Sequence, residues 1–352
     1  MLAVLAVVLA APAGASTFET LDLPSAGNVD PAKVQFNDPP GGKKRPNALK
    51  ALVLLPDGYK PGERYPVLYL LGGHGETYDA WAHPSRGDVQ KTLAGFPGIV
   101  VMPEGARGWY VNWWNGGKRG EPAWERYHLD ELIPAIEKRY PIRPGRRWHA
   151  IAGNSMGGLG ALFYASQRPG YFGSAASFSG VLAPDRSDWG TFMDGQGERF
   201  VDVYGPERYY VEGHSPVSLV RSLKPTRLWT SNGDGIPAPV PEQQRNTGGA
   251  VSEVYLGAHQ ADFTAAARAI GANLTARTHQ GIHDWPYWRA DLRDAAKWGF
   301  FEPVEEAPAQ WSYATVAKSG QMWDLGYRFD APPPALATFS REGSTLSATG
   351  AG

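Results

Sequence analysis

The chain has 352 residues, of which 42% are hydrophobic and 20% charged, with a formal net charge of −1. This is the composition of an ordinary globular protein with room for one large α/β domain and a small appendage, and its charge gives no basis for binding nucleic acid or an anionic membrane surface. Cysteine is absent, which excludes disulfides, thiolate metal sites and a cysteine nucleophile.

The first element is a short apolar run over residues 2–10, followed by the small residues Ala13, Gly14 and Ala15. This pattern predicts a signal peptide over 1–15, cleaved after Ala15 to leave a mature chain starting at Ser16, although no Lys or Arg precedes the run. The run is too short to span a bilayer. Residues 16–48 are rich in Gly, Pro and Asn; Val34 to Phe36 reads as a short edge strand, and 37–47 as a turn or loop.

From Leu52 onward apolar runs bounded by turn residues recur, at 51–55, 67–71, 99–102, 148–152, 175–178, 228–230 and 274–278. They read as buried strands. Helical patterns lie between several of them, at 124–140, 157–167, 250–270 and 285–298. Pro134 inside the first of these predicts a kink or a late helix start. Strands alternating with helices imply a mostly parallel central sheet flanked by helices, an α/β domain over 16–302. Residues 302–310 are rich in Pro and acid and read as a linker. Beyond them, 311–316, 323–329, 336–339 and 345–348 alternate apolar and polar residues as short antiparallel strands do. The segment 303–352 is therefore a small β-rich appendage, marginal as an independent core and expected to pack on the main domain.

The strongest local signal is Gly153-Asn154-Ser155-Met156-Gly157-Gly158. A nucleophile on a sharp turn between strand and helix needs small residues two before and two after it, so that the chain can fold back on itself. The predicted strand before Ser155 and the helix after it supply that context, which points to a serine nucleophile on an α/β-hydrolase sheet. Serine needs a base. In this fold the base follows the nucleophile, which leaves His214, His259, His279 and His283. His283 stands in a loop just after the last predicted strand and is the expected base; His259 reads as a surface or packing residue. The acid that orients the imidazole is either Asp234, after the strand ending at Thr230, or Glu253, in the next segment. The expected oxyanion donors are the backbone N–H groups of Met156 and His74, the latter in the loop Gly72-Gly73-His74-Gly75.

Three blocks together resemble the esterase D family, whose members include the mycolyltransferases of the antigen 85 group: Leu70 to Gly75 with Trp81, Gly153 to Gly158, and Gly281-Ile282-His283-Asp284-Trp285-Pro286-Tyr287-Trp288. The resemblance runs from about Val34 to Phe300. It implies an α/β-hydrolase fold and a Ser155, His283, Glu253 set, since the antigen 85 acid is a glutamate at a position that Glu253 matches, with Asp234 the alternative. It also implies that the loop at 109–115 lines the substrate pocket, with Gly73, Trp113, Trp114 and Trp285 as the substrate-binding residues. Gly72 and Gly75 stand where the mycolyltransferases carry the Asp and Arg that help to hold trehalose, which argues against a trehalose site of that type.

The expected function is thus hydrolysis of a carboxylic ester through an acyl-serine, in a secreted or cell-envelope protein. The alternative is transfer of the acyl group to a sugar or lipid hydroxyl, in the manner of a mycolyltransferase or diacylglycerol acyltransferase. A non-catalytic binding protein on the same fold is a third reading. The expected partner is the ester substrate, of a sugar, lipid or aromatic acid, with no nucleic acid and no integral membrane association. No cofactor is expected, and no metal site, since Asp and His lack the spacing of zinc ligands.

Overall fold

The computed structural model describes residues 15–23, 25–36 and 49–350. The expected signal peptide, all but Ala15 itself, and the loop at 37–47 lie outside the described residues. The main domain carries strands β1 (Thr17–Asp22), β2 (Lys50–Leu55), β3 (Val67–Leu71), β4 (Ile99–Pro103), β5 (His149–Asn154), β6 (Ser174–Phe178), β7 (Arg227–Gly233) and β8 (Leu274–His279). They form one sheet in the order β1-β2-β4-β3-β5-β6-β7-β8. β1 pairs antiparallel with β2, and β2 antiparallel with β4; every later pairing is parallel. The fold is an α/β-hydrolase, with extra antiparallel strands at the C-terminus.

The central strands are apolar because helices cover both faces. All residues of β3, β4, β5 and β6 are buried, with Val67, Leu68 and Leu70 at 0% exposure. Burying each such side chain contributes about 1.5–3 kcal/mol. β8, at the sheet edge, is only half-buried. The edge strand expected at Val34 to Phe36 does not form; those residues are irregular, and the edge is β1 instead. β1 escapes a reading of hydrophobicity because it is solvated on most of its length and buries only Leu21.

The stretch around Pro134 starts as a short α-turn (Trp124–Arg126), widens into a π-helical segment (Tyr127–Leu132), and resumes as an α-helix (Ile133–Arg139) with Pro134 in its first turn. Proline lacks the N–H a helix interior needs, and a first turn is where that loss is harmless.

Helix Met156–Gln167 is buried on every residue. Its small residues are a packing requirement: a Cβ on Gly160 would sit 2.6 Å from the Tyr110 ring, and one on Gly158 would sit 2.4 Å from Ser177 Oγ. Between β6 and β7 the chain makes three short helices, Trp189–Gly195, Phe200–Tyr204 and Arg208–Glu212. Periodicity does not announce them, because none exceeds two turns.

The C-terminal segment forms β9 (Gln310–Thr315), a hairpin of β10 (Ser319–Met322) and β11 (Leu325–Arg328), and β12 (Ala337–Glu342) with β13 (Thr345–Thr349). The expected single strand over 323–329 is thus the second half of a hairpin. β9, β12 and β13 make a three-stranded antiparallel sheet around Trp311, Tyr313, Trp323 and Phe339. It is bonded to the main domain: Gln167 Nε2 donates to Ala314 O (3.2 Å), and Ala314 N to Ser222 Oγ (3.1 Å). The stretch read as a linker is also tied down, since the Glu306 carboxylate accepts the backbone N–H groups of Arg146 (2.7 Å) and Arg147 (3.1 Å).

Candidate active site

β3, β5, β6, β7 and β8 run parallel, so their C-terminal ends open on one edge of the sheet, where open α/β folds place their ligands. Ser155 follows the last residue of β5 and precedes Met156, the first of the buried helix. Its backbone has φ 54° and ψ −119°, a strained conformation for a residue with a Cβ. The turn closes only because its neighbours are glycines. A Cβ on Gly153 would lie 2.4 Å from Gly157 O, and one on Gly157 would lie 2.6 Å from Leu71 O and Gly72 O.

His283 comes from the loop after β8, which its own N–H anchors to Gly249 O (3.1 Å). Asp284 ends that loop by capping helix Trp285–Trp298, accepting from Trp285 N at 2.7 Å. Glu253 projects inward from helix Thr247–Ala269 and is 0% exposed. The three side chains meet: His283 Nδ1 lies 2.8 Å from Glu253 Oε2, and His283 Nε2 lies 2.9 Å from Ser155 Oγ. A carboxylate can only accept, so Nδ1 carries the proton and donates to Glu253. Nε2 of the neutral ring is then the acceptor for the Ser155 hydroxyl. A hydroxyl so placed can lose its proton to the imidazole as it attacks a carbonyl.

The other expected residues divide. Asp234 is not brought to His283: its Oδ1 accepts the backbone N–H groups of Ile236 (2.8 Å) and Gly281 (3.2 Å) and so closes a turn. A cavity of about 210 Å³ opens over Ser155 and His283, and Gly73 and His74 are on its wall. Three expected pocket residues are not. Trp113 is buried with its indole N–H on Gly108 O (3.2 Å); Trp114 faces Tyr209 and Tyr210; and Trp285 packs edge-on against Trp81 and Trp288. The physical reason is the path of the chain after β4, where Trp109 and Tyr110 both take positive φ and Trp109, not Trp113 or Trp114, reaches the cavity. Trp288 takes the place expected for Trp285.

Within the loop after β3, Gly73 N donates to Glu76 Oε2 (2.6 Å) and Gly75 N to Ala106 O (2.7 Å). His74 turns its ring to Glu198, Nε2 to Oε2 at 2.7 Å. Glu76, which carries no motif and is invisible to sequence reading, shapes this loop from the cavity wall; burial pushes its carboxyl above the usual range.

Two further residues hold Glu253. Ser179, at φ 49°, donates its hydroxyl to Glu253 Oε1 (2.7 Å) and accepts the Trp288 indole N–H (3.0 Å); Gly233 N donates to the same Oε1 at 2.5 Å. Replacing Ser179 by Ala removes one donor to a buried carboxylate. We expect kcat on a short ester to fall about tenfold to a hundredfold, the worth of a hydrogen bond to a charged group. Melting and steady-state kinetics of Ser179→Ala measure this; unchanged kcat would refute it.

His259 is buried and accepts Ala183 N at Nδ1 (3.1 Å); burial pushes its imidazole down to about 4. His279 lies 3.0 Å from Asp291 on helix Trp285–Trp298, and contact with that carboxylate raises it to about 9. A histidine raised above its ordinary 6.5 gives its full stabilisation below that pH and loses it as pH climbs through about 9. The melting-temperature gap between the wild type and His279→Gln is therefore expected to be widest near about pH 6 and to close by about pH 10. A gap that widens with pH would contradict the pairing.

The described residues contain no group of His, Asp and Glu able to hold a metal ion. None of their helices is long and apolar enough to cross a membrane.

The chain also resembles known proteins. The family described as "Putative esterase" matches residues 44–298. Esterase Rv1288 of Mycobacterium tuberculosis is 43% identical over 140 residues, which cover 39% of this chain and 30% of that protein, so the match spans less than a third of this relative. The diacylglycerol acyltransferase/mycolyltransferase Ag85A of Mycobacterium gordonae is 28% identical over 248 residues, covering 66% of this chain and 71% of the relative. Among solved structures, Mycobacterium tuberculosis MPT51 (FbpC1) superposes with a TM-score of 0.62 at 23% identity, over 83% of this chain and 98% of that one.

Proposed function

The chain belongs to the Esterase family, and from that premise we propose that it is an exported serine hydrolase of carboxylic esters, working through an acyl-enzyme on Ser155. The observation that carries the reading is the unbroken hydrogen-bonded line from Ser155 Oγ through His283 to Glu253. Ser155 Oγ attacks the ester carbonyl while His283 Nε2 takes its proton. The imidazolium so formed is stabilised by Glu253 and returns the proton to the departing alcohol. Water then repeats the sequence on the acyl-serine. The backbone N–H groups of Met156 and His74 hold the oxyanion. Met156 opens its helix, where N–H groups have no intrahelical partner and the helix dipole favours negative charge.

The cavity limits the acyl group. At about 210 Å³ it is smaller than the roughly 300–1,000 Å³ of pockets for drug-sized ligands. Trp109, Trp189, Phe192, Val181 and Leu256 give it apolar walls. It suits a compact acyl group, and a long chain would need room outside it. Gly72 and Gly75 supply no side chains for a trehalose site of the antigen 85 kind. The similarity to Ag85A favours a second reading, transfer of the acyl group to a sugar or lipid hydroxyl, because water and alcohol compete for one acyl-enzyme. Export is supported by the apolar run at 2–10 and the small residues ending at Ala15.

The test is turnover of short p-nitrophenyl esters with and without added sugar and glycerol acceptors, followed by product analysis. Free acid as the main product supports hydrolysis. New ester in excess of acid would establish the transferase. No turnover of any ester would overturn both.

A further inference from the structure

A second cavity, about 300 Å³, lies between the main domain and the C-terminal strands and shares no residue with the one over Ser155. Trp114 stands in it at 41% exposure, one of the exposed large apolar side chains of the described residues. The indole is held as a fixed platform. Its backbone N–H is bonded to Val203 O (2.8 Å). Gly205, at φ +72°, lies against the ring so closely that a Cβ there would be 2.5 Å from it. Tyr210 and Tyr209 meet the indole edge-on, with centroids 4.9 and 6.2 Å away and both rings tilted 76°. An exposed aromatic fixed before binding loses little entropy when a ligand stacks on it.

Beside this platform the wall includes Glu125, only 7% exposed. One of its oxygens, Oε2, accepts from Asn112 Nδ2 at 2.6 Å. The other, Oε1, accepts no hydrogen bond from the described residues. A ligand hydroxyl can pair with an oxygen that no protein group serves, and because burial pushes this carboxyl up to about 7, the hydroxyl can act as donor or acceptor there. Gln167 and Thr315 add polar groups to the wall, and Thr315 comes from β9 of the C-terminal segment.

We propose that this groove binds a saccharide chain. A pyranose has an apolar face of C–H bonds that fits an indole and a rim of hydroxyls that donate to a carboxylate. A purely apolar ligand would leave Glu125 Oε1 unpaired, and Arg126 and Lys318 on the same wall add donors for a sugar's hydroxyl and ether oxygens. The C-terminal strands thereby complete a site that holds a glycan while an ester is presented elsewhere to Ser155. The inference does not depend on the chemistry at Ser155.

Affinity electrophoresis and calorimetry of the full chain with soluble arabinoxylan, arabinogalactan and dextran test it. The wild type is expected to be retarded by at least one of them. Trp114→Ala is expected to weaken that binding by at least about tenfold, the usual cost of losing a tryptophan anchor, and Glu125→Gln, which keeps the side chain's shape, to weaken it as well. Both variants should keep their p-nitrophenyl ester turnover and melting temperature, whatever that turnover is. No retardation by any of the three polysaccharides, or retardation that survives both substitutions, would overturn the proposal. So would binding of a free aromatic acid in the groove in place of a glycan.

Discussion

Ser155→Ala is expected to lower kcat/KM for a short p-nitrophenyl ester by about 10⁵- to 10⁶-fold, the loss seen when a serine nucleophile is removed from such a set. The backbone at 155 is strained in the wild type, at φ 54°, and alanine accepts that conformation no better and no worse than serine. The fold should therefore survive the substitution, and melting should move little. What remains is the activity of the oxyanion donors and the pocket alone. A variant that keeps even a tenth of the wild-type turnover would mean that the hydroxyl at 155 is not the attacking group.

Glu253→Gln carries the second large effect, a fall of about 10³- to 10⁴-fold in kcat. The carboxylate accepts from His283 Nδ1 at 2.8 Å. An amide offers a donor as well as an acceptor, so the ring can settle with the wrong nitrogen protonated, and no carboxylate remains to stabilise the imidazolium. Because Glu253 also accepts from Ser179 and Gly233, the variant should lose stability too, and kcat must be compared well below its melting temperature. Asp234→Asn is the control. Its carboxylate serves the Ile236 and Gly281 backbone, so it should lose some stability and change kcat only a few-fold. A reversed outcome would move the acid to Asp234.

How much of the fold and site is legible in the chain depends on what kind of signal each residue carries. Ser155 announces itself because its strained turn demands glycines at 153 and 157, and those clashes are real in the structure. His283 follows from chain order and from a loop after the last strand. The acid is different. Glu253 and Asp234 both have ordinary surroundings in sequence, and family resemblance, not spacing, favours Glu253. Strands buried on both faces are plain in the sequence, whereas β1 is not, because it buries one residue of six. Trp113 and Trp114 point to the pocket through the resemblance of 109–115 to a family loop, and their aromatic character, which suits acyl groups and cores alike, does not say which Trp of that loop turns inward. Two consecutive residues at positive φ, Trp109 and Tyr110, redirect the chain, and no sequence rule predicts that for non-glycine residues. Ser179 and Glu76 are single polar residues whose roles exist only through their partners in the folded chain.

The most direct measurement is mass spectrometry of the protein after brief reaction with a p-nitrophenyl ester or a fluorophosphonate, with the modified peptide sequenced. The predicted result is one adduct, on Ser155, absent from Ser155→Ala and formed far more slowly in His283→Ala. An adduct on any other residue, or none in a preparation that hydrolyses the ester, would contradict Ser155 as the nucleophile.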